Sequence, residues 1–298
     1  MKIVFFGNEQ LAQGLKEPIT PLFDGLIEHD FEIAALVLPR RAEIKSRDAK
    51  DLKIVESSNR HGVKVIYASE VNLSETLQGL GADVGVLISY GKVVPDEVIN
   101  SFPHGIINVH PSLLPKYRGS SPIESAIVNL DDRTGISIMK LSTEMDAGPI
   151  YVQTEIALDG TETKPELYKK MAEMGADVLI DILPDIVDGS IKPYEQDEEQ
   201  ATYCEKLEKS DGELDPTIDT AAELDAKVRA YLDFPRTRLD GLIVTKTRLL
   251  DSYSGEDWPD IIPCANDTAL QILEVVSPKS GKTMAFTDYL NGLNGSKI

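Results

Sequence analysis

Asp83-Val-Gly-Val-Leu-Ile-Ser89 and, after an intervening helix-length segment, Gly105-Ile-Ile-Asn-Val109 are the stretches that decide the fold. Each is a short, nearly continuous apolar run, the pattern of a strand buried on both faces. Working outward, Lys2-Ile-Val-Phe-Phe6, Phe31-Glu-Ile-Ala-Ala-Leu-Val-Leu38 and Val63-Lys-Val-Ile-Tyr67 repeat it. Helical segments fall between these runs. Asn8 is placed to cap one that begins near Glu9 and carries Leu11, Ala12 and Leu15, and another covers about 50–60. Strands alternating with helices predict a doubly wound, mostly parallel α/β sheet of Rossmann-like type. Gly135–Leu141 and Ile150–Ile156 switch to alternating polarity, which predicts an antiparallel pair at one edge, and a long helix is expected over 164–188.

Residues 190–204 include Pro193-Tyr-Glu-Gln-Asp-Glu-Glu-Gln200, polar and acidic, and read as a linker. Beyond it the texture changes. A helix near 220–232 precedes Pro235, and Asp240-Gly241 lies between two β-prone runs, a strong hairpin signal. Further short strands are expected at 268–276 and 282–286. The chain therefore divides into an α/β domain over 1–189, a linker over 190–204, and a small β-barrel, closed or partly open and OB-like, over 205–298.

The 298 residues are 42% hydrophobic and 27% charged, which excludes wholesale disorder. No apolar stretch approaches the ~18 residues of a membrane-spanning helix, and the chain opens on a strand rather than a signal peptide. Cys204 and Cys264 stand far apart with no CxxC pair, which fits a reducing cytoplasm and gives no zinc site. The net charge of −20 opposes nonspecific binding to nucleic acid or anionic membranes. That charge is uneven. Residues 181–225 hold 15 acidic and 3 basic side chains. Residues 39–50 instead carry Arg40, Arg41, Lys45, Arg47 and Lys50 against Glu43 and Asp48, a local excess of +3 beside the expected cleft and a candidate phosphate contact. Arg236, Arg238, Lys246 and Arg248 form a second basic strip on the expected hairpin.

The first strand is followed by a single glycine, so the GxGxxG dinucleotide fingerprint is absent, as is the GxxxxGK[ST] phosphate loop. Chemistry concentrates instead in Ile107-Asn-Val-His-Pro-Ser-Leu-Leu-Pro-Lys-Tyr-Arg-Gly119. It leaves the sheet at a carboxyl end, where open α/β sheets place ligands. Asn108 and His110, two apart on a strand, share one face. Asp146, in Glu144-Met-Asp-Ala-Gly-Pro149, is framed by a turn that can aim a carboxylate into a cleft. Together they can charge or orient an imidazole, move a proton near neutral pH and donate to an oxyanion. That set suits attack by an external amine on a carbonyl. No covalent enzyme intermediate is required, and no metal site is evident in the sequence.

Asn108-x-His110-x-Ser112-Leu-Leu-Pro115-x-x-Arg118-Gly119, followed by Met-Asp146-Ala-Gly, resembles the folate-dependent formyltransferases. Ser89-Tyr-Gly91-Lys-Val-Val-Pro95 matches the family's loop after the fourth strand. Asp188–Pro193, Ala201–Leu207 and Gly281–Gly292 extend the likeness to the branch that acts on methionyl-tRNA. The resemblance implies 10-formyltetrahydrofolate as donor and the amino group of charged initiator tRNA as acceptor. It implies that Asn108 binds the formyl oxygen, and that His110, supported by Asp146, shuttles protons. It further implies that Ile88, Ser89, Tyr90 and Gly91 form part of the pterin pocket, and that Ser112, Leu113, Leu114 and Pro115 line the folate site. A monomer is expected, with no membrane or DNA partner. The chain departs from the family's Gly-Thr-Pro opening with Gly7-Asn8-Glu9, and its segment 39–50 lacks the usual glycines. The alternatives are the same chemistry on a small amine, such as a nucleotide-linked amino sugar, or a non-catalytic folate- or RNA-binding protein.

Overall fold

The computed structural model describes residues 1–7, 9, 19–39, 52–69, 72–250 and 258–294. Of the helix expected to begin near Glu9, only Glu9 is described, as a bend with φ 53°; Leu11, Ala12 and Leu15, and the basic segment with Arg40, Arg41, Lys45 and Arg47, lie outside the described residues. The chain forms two compact units, one comprising 1–122, 134–156 and 168–204, the other 123–133, 157–167 and 205–298.

In chain order the first elements are β1 (Lys2–Phe6), α1 (Pro21–Glu28), β2 (Glu32–Leu38), α2 (Lys53–Arg60), β3 (Lys64–Tyr67), α3 (Leu73–Gln78), β4 (Val84–Leu87), α4 (Asp96–Ile99) and β5 (Ile106–His110). They continue with β6 (Arg118–Gly119), α5 (Pro122–Val128), β7 (Arg133–Lys140), β8 (Ile150–Ala157), α6 (Lys164–Asp188) and β9 (Tyr203–Cys204). Seven of the strands make one sheet in the order β3-β2-β1-β4-β5-β7-β8. The first five are parallel and β7 runs antiparallel to β5. This is the doubly wound sheet that the apolar runs predict. Successive residues of β1 show why both faces are covered. Phe5 meets Phe23 of α1 edge-on at 5.2 Å, and Phe6 on the opposite face meets Tyr90 at 5.8 Å and Phe102 at 5.9 Å. The order of strands reverses between β1 and β4, and the crevice beside that reversal is where the carboxyl ends of β4 and β5 open.

The segment 190–204, expected as a linker, is fixed to the first unit. Tyr194 exchanges backbone hydrogen bonds with Ile150, Gln196 is buried, and β9 pairs in parallel with β6. Its acidic side chains face water while one amide points inward.

The second unit contains α7 (Ala221–Ala230), β10 (Arg238–Leu239), β11 (Leu242–Leu249), β12 (Ile261–Cys264), β13 (Thr268–Val276), β14 (Thr283–Ala285) and α8 (Phe286–Asn294). Its strands form an antiparallel half-barrel in the order β10-β11-β13-β12, with β14 on β13. Asp240 and Gly241 make the hairpin turn, both with positive φ (49° and 80°), which is the backbone that an Asp-Gly pair tolerates. Leu224 and Val228 of α7 pack with Val244, Leu270, Ile272 and Val275. The expected strand at 282–286 ends at Ala285, where α8 begins. Phe286, Tyr289 and Leu290 recur at helical spacing and join the same core. No helix among the described residues is long and apolar enough to cross a membrane.

Candidate active site

A cleft of about 450 Å³ in the first unit lies over the carboxyl ends of β4 and β5. Asn108, His110 and Asp146 all line it, as do Ser89, Tyr90 and Gly91. Asn108 and His110 are 5% and 4% exposed. They reach the same cleft because the strand's two-residue period puts them on one face.

The imidazole is oriented by the main chain. His110 Nε2 is 2.9 Å from the carbonyl of Tyr117. A carbonyl only accepts, so Nε2 carries the hydrogen, and in the neutral ring the lone pair sits on Nδ1. That nitrogen faces Asp146 Oδ2 at 3.7 Å. Oδ2 also accepts the Gly119 N–H at 2.9 Å. Gly119 has φ +122°, and a Cβ there would fall 2.1 Å from the Cys204 carbonyl, so only glycine lets this N–H reach the carboxylate. Asp146 itself holds a left-handed backbone, φ 50°, of the kind that accumulates at functional sites. Two acceptors, Nδ1 and Oδ2, thus border one gap at the cleft. A primary amine carries N–H donors for both.

The rest of the lining has an apolar wall with isolated polar groups. Tyr90, Val94 and Leu141 contribute to the wall. Burial pushes the Tyr90 hydroxyl up to about 12, so it stays protonated. The Ser89 hydroxyl is buried with no hydrogen-bond partner among the described residues, in a residue whose own φ is 52°.

Other expected site residues lie elsewhere. Ile88 is buried and its N–H bonds the Phe6 carbonyl, so it braces the end of β4 without entering the cleft lining. Ser112 is wholly buried, its hydroxyl donating to the Lys116 carbonyl at 2.6 Å. Leu114 packs with Met139 and Ile150, and neither Leu113 nor Pro115 borders the cleft. The Ser-Leu-Leu-Pro run therefore shapes the loop that brings Tyr117 to His110. Of the basic strip, Arg236, Lys246 and Arg248 are exposed. Arg248 Nε donates to Gln271 Oε1 at 2.9 Å, Lys246 lies opposite Glu274, and Arg238 bonds the Arg236 carbonyl at 3.2 Å. Among the described residues no group of three His, Cys, Asp or Glu side chains is arranged to hold a metal ion.

Sequence reading missed Tyr117, because the contributing atom is a carbonyl, and Gln196, which stands in the acidic segment. The Gln196 amide donates to the carbonyls of Asp146 and Gly148, both at 2.7 Å.

A mostly parallel α/β sheet with an amide, an imidazole and a carboxylate around one cleft at its carboxyl edge has the groups an acyl-transfer enzyme needs: an oxyanion donor, a proton acceptor and a charge to support it. The formyl transferase family pattern matches residues 1–183, more than half of the chain, and the chain belongs to that family. It is 30% identical over 315 residues to the methionyl-tRNA formyltransferase of Ligilactobacillus salivarius, with 99% of this chain and 96% of that one covered. It is 35% identical to the methionyl-tRNA formyltransferase of Thermotoga maritima over 242 residues, covering 80% of this chain and 75% of that one. The N-formyltransferase of Helicobacter canadensis, solved with folinic acid and dTDP-3-aminofucose, shares the fold with a TM-score of 0.71 at 15% identity. That match covers 91% of this chain and 97% of the other.

Proposed function

We propose that this chain transfers the formyl group of 10-formyltetrahydrofolate to the amino group of methionyl-initiator tRNA, acting as a cytoplasmic monomer. The observation that carries the reading is the convergence of Asn108, His110 and Asp146 on one cleft, in a chain that spans 96% of the length of a methionyl-tRNA formyltransferase. The acceptor amine sits between His110 Nδ1 and Asp146 Oδ2 and attacks the formyl carbon. As the new C–N bond forms, charge grows on the formyl oxygen, and the Asn108 amide donates to it. His110 Nδ1 takes the amine proton, and the nearby carboxylate stabilises the imidazolium. The bond from the formyl carbon to the donor nitrogen then breaks, and the same proton passes to that nitrogen. No covalent enzyme intermediate and no metal enter the sequence of steps. The apolar wall formed by Tyr90, Val94 and Leu141 suits a flat heteroaromatic donor.

Arg40, Arg41, Lys45 and Arg47, with Arg236, Arg238, Lys246 and Arg248, are the proposed tRNA contacts. In a chain of net charge −20 such contacts give weak, locally steered and salt-sensitive docking. The test is formylation by the purified protein of methionyl-initiator tRNA and, separately, of a nucleotide-linked amino sugar, with and without the formyl donor. Donor-dependent product on the tRNA supports the proposal. Product on the sugar alone overturns it.

A further inference from the structure

Arg118 is 1% exposed, a guanidinium enclosed at the edge of the first unit. Its charge is matched by Glu198, with contacts at 2.6 and 2.9 Å that together form a fork, and the side chain of Glu198 is 65% exposed. Its Nε and Nη2 also donate to Gln196 Oε1 at 3.0 and 2.8 Å. A guanidinium only donates, so the Gln196 oxygen faces it and the amide nitrogen must face the other way. There Nε2 meets two carbonyls, Asp146 and Gly148. All four hydrogen-bonding positions of the buried Gln196 side chain are therefore used, and its orientation is fixed from both ends.

We propose that Gln196, oriented by the buried Arg118, is a positioning residue for the reaction. It grips the Asp146–Gly148 turn from behind, so that Asp146 keeps its left-handed backbone and its carboxylate stays on His110. This inference rests on the reading of Asp146 given under the proposed function. Other bonds brace the ends of this loop: the Lys140 N–H donates to the Pro149 carbonyl at 2.9 Å, the Ala147 N–H to the Glu144 carbonyl at 3.4 Å and the Ser142 hydroxyl to the Glu144 carbonyl at 3.0 Å. Thr143 bonds Asp96 at one end, and the Gly119 N–H holds the Asp146 carboxylate. The Gln196 amide reaches the main chain on both sides of Ala147.

Gln196→Glu separates this role from simple packing. The variant keeps the volume and gives Arg118 a charged partner, but it presents oxygen to two carbonyl oxygens and releases the turn. The expected result is a fall in kcat of about tenfold or more, with KM for donor and acceptor within about twofold. Introduced into an Asp146→Asn background, the same change should lower kcat by less than about twofold further, because both act through one carboxylate. Thermal melting monitors folding, and Gln196→Met, of similar volume and without donors, is read the same way if the glutamate variant unfolds. Wild-type kcat for Gln196→Glu beside an impaired Asp146→Asn overturns the inference, as do multiplicative effects in the double variant. Wild-type kcat for Asp146→Asn overturns instead the role given to Asp146.

Discussion

Replacing Asp146 by Asn tests how much of the rate depends on one negative charge. The amide keeps the size of the carboxylate, and its oxygen still accepts the Gly119 N–H that Oδ2 accepts at 2.9 Å. What disappears is a charge 3.7 Å from His110 Nδ1, the atom that becomes cationic as the amine loses its proton. At an effective dielectric of ~20 a unit pair at that separation interacts by roughly 4–5 kcal/mol. The cleft is open to water, and about half of that is a fair share for the transition state, so the barrier should rise by about 2–3 kcal/mol. This corresponds to a fall in kcat of roughly 30- to 150-fold. Initial rates of formyl transfer at saturating donor and charged tRNA give kcat directly, and KM should stay within about threefold because the change acts on a charge formed during reaction. A variant that kept more than about a third of the wild-type kcat would show that the imidazolium does not rely on this carboxylate.

Asn108→Ala removes the amide assigned to the formyl oxygen; loss of one such donor costs about 100- to 1000-fold in turnover, to be read as kcat with both substrates saturating. Glu9 gives a prediction about stability. Its carboxyl is buried against the Leu22 and Phe23 N–H groups at the start of α1, at 3.1 and 2.6 Å, yet burial outweighs these bonds and pushes its pKa from 4.5 up to about 8. Below pH 4.5 both folded and unfolded chains are protonated. Between 4.5 and 8 only the folded chain holds the proton, so this group makes stability decline as pH rises, by up to about 1.4 kcal/mol per pH unit. In urea unfolding from pH 5 to 8 the parent should lose stability relative to Glu9→Gln as pH rises, and parallel curves would count against the assignment. Reversing Arg40 and Arg41 to Glu should raise KM for tRNA in low salt while leaving binding of the folate donor unchanged; identical tRNA kinetics would remove that segment from the docking surface.

The parallel sheet was legible because β1 to β5 are short apolar runs bordered by turn residues, and a strand buried on both faces leaves few other sequences open to it. That Asn108, His110 and Asp146 would share one cleft was legible for a different reason: polar side chains sit where strands end in Pro- and Gly-rich loops. Gln196 was not. It lies 50 residues from the turn it holds, inside a stretch whose composition is that of a solvated linker, and nothing local marks one amide there as buried. Arg118 stood in the motif, but a sequence does not show that a guanidinium points inward. Ser112 to Pro115 were expected to line the folate site; they do not border the cleft, and the loop they begin leads to the Tyr117 carbonyl that meets the imidazole. Those distinctions depend on where the backbone carbonyls point, which residue identities leave open.

In the proposed reaction one cleft, through Asn108 and His110, moves a formyl group to an amine. A single-turnover experiment with excess enzyme and labelled 10-formyltetrahydrofolate, chased with methionyl-initiator tRNA, addresses it most directly. Wild-type protein should pass the label to the methionyl amino group, and the Asn108→Ala, His110→Ala double variant, folded by its melting curve, should leave it on the folate. Transfer by the double variant at the wild-type rate would show that neither side chain takes part in the reaction.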